Sequence, residues 1–377
     1  MKRAHRRREV LYAQLSLAIT VVLYALLADV LAHKIYDSYF FPNLGPFYGG
    51  LIFVVAISII FYSVVHYHVC LIGFYKRHKY EIMPTFEDVA QIYDTPAPSL
   101  TVLVPSFKEE RKIILQTLLS AALSEYPSKN VVLLIDNPQN PTHDDDKYLL
   151  EQARQIPQTL QGQFSQQAAI FKNALKEYET RKSLSASALE SEIAILSDLY
   201  AEAAHWLEVE AQNLTGGQSM DQLDGDERFF IDTLVLQPAG LHRMQSAALL
   251  QQTKVLSDIE IGRHYRRLAG LFDVQFSSFE RKRYANLSHD PNKAMNLNSY
   301  IMLIGRHWQE VQTENGLELH ECDTAPSAQG FSIPPSDYVN TIDADSLMTH
   351  DYIARLVYFL EQPENSRVAV AQSPCSA

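Results

Sequence analysis

Two long apolar stretches open the chain, Val10 to Ala32 and Gly50 to Phe74, and each is close to the roughly 20 residues that a helix needs to cross a bilayer core. They predict two transmembrane helices. Pro84 to Pro98 interrupts the apolar pattern with Glu87, Asp88 and Asp94 and predicts a linker ending in the helix-stopping Pro96-Ala-Pro98. From about Ser99 the pattern becomes that of an α/β domain. Leu100 to Val104 is a continuous apolar run, and Ile113, Leu115, Leu118, Leu119 and Leu123 then recur at helical spacing. Val131 to Ile135 is a second apolar run, ending at Asp136, so strand, helix and strand form a βαβ unit with its loops at the carboxyl ends. Between about 142 and 271 the period is helical: Ala168 to Leu214 has almost no Gly or Pro, and Ile193, Leu196, Leu199 and Ala203 make one stripe. Gly216-Gly217 and the acidic turn Asp221 to Glu227 separate that stretch from Phe229 to Leu271, which predicts an inserted helical hairpin. Strands at Val274 to Phe279, Tyr338 to Ile342 and Val368 to Gln372 then alternate with helices at Pro291 to Gly305 and Thr349 to Glu361.

The 377 residues divide into an N-terminal part, 1–98, with spans at about 10–32 and 50–74, and a globular part, 99–377, carrying the insertion at about 142–271. With 32 Lys and Arg against 44 Asp and Glu, the net charge of -12 argues against nucleic acid as a partner. The basic residues that do cluster are informative. Lys2, Arg3, Arg6, Arg7 and Arg8 precede the first span and Lys76, Arg77 and Lys79 follow the second, whereas the loop between has only Lys34. The positive-inside rule puts both ends in the cytoplasm, a multi-pass inner- or plasma-membrane arrangement with the globular part cytoplasmic. Asp29, His66 and His68 lie in or near the spans and read as interhelical or interfacial contacts. Cys70, Cys322 and Cys375 match no zinc or disulfide spacing and read as structural thiols in a reducing compartment. Asn213 and Asn286 head glycosylation-type triplets that a cytoplasmic location makes irrelevant.

Candidate chemistry gathers at strand ends. Val339 to Ser346 is an apolar run ending in Asp343-Ala344-Asp345, two carboxylates suited to Mg²⁺ or Mn²⁺ on a diphosphate. Asp136 is placed to accept a hydrogen bond from a uracil N–H or a ribose hydroxyl. Lys293, near a helix start after Asp290-Pro291, adds a cation for the diphosphate. Glu109 and Glu110 favour the positive end of the following helix, with a ribose contact as the functional reading of Glu109. His289-Asp290 reads as a loop hydrogen bond or a helix cap, and His320, Glu321, Cys322 and Asp323 as a surface loop.

These segments resemble glycosyltransferase family 2, in its membrane-bound, cellulose-synthase-like branch. Thr101-Val-Leu-Val-Pro-Ser-Phe-Lys-Glu-Glu110 is similar to the family's entry strand and loop, Val131 to Asp136 to its uridine-contacting strand, Lys293-Ala-Met-Asn-Leu-Asn298 to its Lys-Ala-Gly motif, Thr341 to Ser346 to its Asp-x-Asp element, and Val370-Ala-Gln-Ser-Pro374 to the strand after it. The resemblance covers about 99–140 and 276–374 and leaves the insertion unexplained. It implies a GT-A (Rossmann-like) fold, a UDP-sugar donor bound by Pro105, Glu109, Asp136, Lys293 and Asp343, a metal on Asp343 and Asp345, inversion at the anomeric carbon, and a polysaccharide or lipid-linked acceptor at the membrane. The family's second acid and its Gly are replaced here by Asn137 and Met295. The family's general base and its Gln-x-x-Arg-Trp segment come later than residue 377, so the expectation is a C-terminally truncated enzyme with no catalytic base of its own. The alternative is a non-catalytic membrane scaffold or nucleotide-binding pseudoenzyme that meets a protein partner through the helical insertion. A nucleotidyltransferase is disfavoured by the lack of a Gly-rich phosphate loop near Val104-Pro105.

Overall fold

The structure is a computed structural model that describes residues 2–40, 44–78, 84, 86–94, 96–184, 189–251, 255–324 and 330–373. It has two compact units, Met1–Met83 and Pro84–Ala377.

In the first unit, α1 (Lys2–Phe40) and α2 (Leu44–His78) form an antiparallel pair. Each contains a stretch of 30 residues, Arg8–Asp37 and Phe47–Lys76, long and apolar enough to cross a membrane. Their outward surface is apolar, with Leu23, Val30, Ile52 and Ile59 exposed. The few polar groups find partners inside the pair: Tyr24 Oη and Ser58 Oγ are 2.7 Å apart, and the Tyr24 ring stacks on Phe61. His68 meets Ser16 across the pair at 2.9 Å, whereas His66 and Asp29 contact residues of their own helices. Such satisfaction is what apolar surroundings demand of side-chain polar groups.

The second unit starts at Pro84, earlier than the Ser99 expected from sequence. The described residues of the segment read as a linker pack on the domain: α3 (Phe86–Ala90) buries Val89 and Ala90, Tyr93 is also buried, and Asp94 accepts a bond from Arg263 at 2.8 Å. β1 (Leu100–Ser106), α4 (Arg111–Leu123) and β2 (Lys129–Ile135) follow as the expected βαβ unit.

The insertion is larger than a hairpin. It comprises α5 (Asp144–Ser183), α6 (Leu189–Thr215), α7 (Gly225–Phe229) running through a π-helical stretch Phe230–Leu236 into α8 (Gln237–Gln251), and α9 (Asp258–Leu271). The 40 residues of α5 run unbroken through Pro157, and the chain reverses after Ser183, within what the sequence read as one helix. Far from being appended, this bundle is the crossover from β2 to β3 (Val274–Phe279), and α5 and α9 pack on each other and bury the sheet.

Beyond it come α10 (Lys293–Ile301), β4 (His307–Thr313), β5 (Gly316–Cys322), β6 (Gly330–Ser332), β7 (Tyr338–Thr341) and α11 (Tyr352–Leu360). Strands β4 to β6 form an antiparallel sheet in the order β5-β4-β6, so the His320 to Cys322 segment expected as a loop is a strand, paired residue for residue with His307 to Gln309. The expected strand at Val368 to Gln372 is also revised: the segment joins no ladder, and Val370 is 85% exposed.

The main sheet is parallel throughout, in the order β3-β2-β1-β7. Alternation along its strands feeds two cores. Leu100, Val102, Val104, Val131, Leu133 and Ile135 face α4 and the inserted helices, while Leu103, Val132 and Leu134 face α10 and the antiparallel sheet through Tyr300, Trp308 and Leu319. Successive strands step outward from β1 to β3, and the chain then returns to the opposite side of β1 with β7. The strand order thus reverses between β1 and β7, and in open parallel sheets ligands bind outside the carboxyl ends at such a reversal.

Candidate functional site

The Asp343 to Ser346 segment follows β7 directly. Ile342 donates its N–H to the Leu103 carbonyl at 3.1 Å, and a tight turn closes with Ser346 N–H to Asp343 O at 3.0 Å. Ala344 is buried, and its carbonyl accepts from Thr117 Oγ1 of α4 at 2.5 Å. With the middle residue drawn into the core, the carboxylates on either side, Asp343 and Asp345, are both exposed. Lys293, the first residue of α10, sets its ammonium against Asp343 Oδ1. Asp345 is bonded by none of the described residues.

The start of α10 is fixed from two sides. Asn292 caps it, its Oδ1 accepting from Met295 N–H at 2.8 Å, so of the two readings of His289-Asp290 the cap falls to Asn292 and the loop hydrogen bond stands, His289 Nε2 lying 3.1 Å from the Tyr284 carbonyl. Asn296 is buried and donates to the Leu134 carbonyl at 3.0 Å, pinning the helix beneath the end of β2.

Asp136, at the end of β2, is not a free acceptor. Its side chain is 9% exposed, and Arg281 and Lys282, both just after β3, meet Oδ1 at 2.8 and 3.3 Å. Lys282 also donates to the Asp136 carbonyl at 2.6 Å. Both side-chain contacts fall on Oδ1, which leaves Oδ2 as the open acceptor of this group.

Pro105 lies near the end of β1, past the last β1–β7 pair, Leu103 with Thr341, so its missing N–H breaks no bond to β7. Phe107, Lys108 and Glu109 make the loop that follows, with Glu109 half-buried. Lys108 has φ 57, a left-handed conformation unfavourable for a side chain with a Cβ. Asn137 holds it there, accepting the Lys108 N–H at 3.0 Å from a buried position. A neutral amide thus fixes the loop after β1. The Phe107 ring is exposed between two cations, with Lys108 Nζ and Lys282 Nζ each 5.8 Å from its centre. Glu110 stands at the N-cap of α4 without a side-chain bond to it, so the pair of glutamates serves that helix through charge alone.

The insertion reaches this edge as well. Lys108 pairs with Asp146 in the first turn of α5 at 2.6 Å, and Arg154, two turns on, makes a bidentate contact with Glu280 at 2.8 Å on each arm.

Asp136, Lys293, Asp343, Asp345, Pro105 and Glu109 therefore all lie along the carboxyl edge of one parallel sheet. Sequence reading missed Arg281, Lys282, Asn137, Phe107 and Asn296. The run Glu280-Arg281-Lys282-Arg283, directly after an expected strand, was the signal available for the first two. Among the described residues, no three His, Cys, Asp or Glu side chains converge on one point. Two exposed carboxylates suit a hard ion that draws the rest of its shell from phosphate and water, as Mg²⁺ does. No family model matches the chain, and no curated protein or solved structure matches it either.

Proposed function

We propose that the chain binds a UDP-sugar donor, as a membrane-anchored, inverting, metal-dependent glycosyltransferase of GT-A fold acting toward a polysaccharide or lipid-linked acceptor. One observation carries the reading: acids and bases from β2, α10 and the β7 turn, far apart in sequence, lie along the carboxyl edge of a parallel sheet with a reversal between β1 and β7. The nucleoside occupies the β1–β2 side. There Asp136 Oδ2 accepts from the base or ribose, the Phe107 face offers a stacking surface, and Pro105 and Glu109 complete the wall. The diphosphate lies toward α10, where Lys293 adds its charge to a helix N-terminus. Asp343 and Asp345 would hold Mg²⁺ or Mn²⁺, which would supply Lewis-acid neutralisation of diphosphate charge. The base that deprotonates the acceptor is assigned to no residue of this chain.

Calorimetric titration of the full chain in detergent tests the donor site without requiring turnover. UDP is expected to bind in Mn²⁺, to lose most of its affinity in EDTA, and to lose it likewise in Asp345→Ala. Metal-independent binding would remove Asp345 from its role. A folded chain with no affinity for UDP would favour the scaffold reading.

A further inference from the structure

Glu280, Arg281 and Lys282 leave the end of β3 as consecutive charged residues, Glu280 turned to α5 and Gln139 and both Arg281 and Lys282 to Asp136. Glu280 receives Arg154 of α5 and, at 2.6 Å, the Gln139 amide. Lys282 holds the Asp136 carbonyl. Arg281 is the most deeply placed, at 0% exposure, and its fork spans the site. Nε and one terminal nitrogen lie 2.9 and 2.8 Å from Asp136 Oδ1, while the terminal nitrogens also donate to the carbonyls of Ser288 and Asp290.

A guanidinium in such a place is unfavourable unless its donors are met, and here one carboxylate and two carbonyls meet them. Those carbonyls belong to the loop that leads into α10. The Asp290 carbonyl that Arg281 holds also accepts the N–H of Asn292, at 2.9 Å, and Asn292 caps the helix that begins with Lys293. Bonds therefore run without interruption from Asp136 through Arg281 to the start of α10. A lysine carries its three donors on a single nitrogen, without the planar fork whose separate nitrogens here meet the Asp136 carboxylate and the Ser288 and Asp290 carbonyls.

We propose that Arg281 is a positioning residue of the donor site: it sets the separation between Asp136, on the nucleoside side, and Lys293, on the diphosphate side, while touching neither part of the ligand. This rests on the donor-site reading above. A brace that merely kept the domain folded would, when weakened, lower affinity for every ligand fragment in step. A spacer between two subsites changes their ratio instead, because a nucleoside needs only one of them.

The test is calorimetry on the full chain in detergent with Mg²⁺, using uridine and UDP as probes, on the wild type, R281K and Pro291→Gly. Pro291 is exposed on the same loop, and its replacement loosens the approach to α10 without touching Arg281. In both variants UDP affinity is expected to fall by about tenfold or more, and uridine affinity by no more than about twofold, the sensitivity expected of a misplaced contact. A folded R281K or Pro291→Gly chain whose ratio of UDP to uridine affinity equals the wild type's overturns the proposal and leaves the donor site standing. A wild type that binds neither probe overturns the donor-site reading and this inference with it.

Discussion

His242 is buried with neither ring nitrogen in a hydrogen bond, stacked on Tyr200 and facing Glu125, Arg267 and His350. Burial pushes its imidazole down from the ordinary 6.5 to about 4, against the pull of Glu125. His264, bonded to the Tyr200 hydroxyl at 2.8 Å, is lowered to about 4 by burial and by Arg267 and Arg263. In both cases the unfolded chain takes up the proton before the folded one. Stability is therefore full above pH 6.5 and is lost as pH falls through 4. Melting temperature is expected to decline across that window, and His242→Phe to reduce the decline while adding about 1 kcal/mol at neutral pH by removing two orphaned polar atoms. A variant as acid-sensitive as the wild type would clear His242 of the effect. Glu125 belongs to the same buried group: burial pushes its carboxyl up, but the bidentate Arg267 outweighs that and holds it at about 2. Glu125→Gln strands the guanidinium in the interior and is expected to cost about 3–5 kcal/mol in denaturant unfolding. None of this pairing was legible in the sequence, since Glu125 and Arg267 are 142 residues apart. The same holds for Arg281 and Asp136, 145 apart. Asp136, Lys293, Asp343 and Asp345 were legible because each sits in a short local pattern, an apolar run or a helix start, that places it at an element's end.

At the scale of elements, strands buried on both faces declared themselves as unbroken apolar runs. β1 and β2 lie where the sequence put them, and so does β3, although Gln275, Ser277 and Ser278 leave that strand exposed on one side. β4 and β5 are half-exposed, and His307-Trp-Gln-Glu-Val-Gln-Thr313 carries little apolar alternation to mark it. The signal that was present is the turn: Glu314-Asn315 followed by Gly316 at φ 121 is a hairpin connection, and it outweighs the polar character of the flanks. Insertion boundaries failed for a different reason. A helical period identifies a helix but not the residue at which it stops, and α5 stops at Ser183 inside a stretch with no Gly or Pro to mark its end. The end of α9 shows how closely the insertion is fitted to the sheet domain. A Cβ on Gly270 would lie 2.8 Å from both the Cα and the carbonyl oxygen of Pro127, just before β2. Backbone cannot yield there as a flexible side chain does, so Gly270→Ala is expected to cost about 1–3 kcal/mol, read as a lower urea midpoint. An unchanged midpoint would mean that this contact has slack.

For the whole molecule, the division at Pro84 has a direct consequence. Residues 84–377 hold their own cores and their own ties to the 84–98 segment. Expressed without the first 83 residues, this unit is expected to melt cooperatively near the temperature of the full chain, whereas the full chain alone floats with liposomes. Flotation of the shorter chain would assign membrane affinity to the wrong unit. Excising the insertion is a different matter, because α5 and α9 cover one face of the sheet and their loss exposes Val131, Leu133 and Phe276.

The edge of the main sheet has a bearing on the Asp345 experiment. β7 is four residues long and pairs only with β1 among the described strands, so its outer backbone groups are available to another chain. Asp337 stands before it and Asp343 and Asp345 after it. Negative charge beside an open strand is a common guard against self-association. The acids proposed to hold the metal flank that open edge, so a double replacement of Asp343 and Asp345 should be sized by light scattering before its loss of ligand is interpreted.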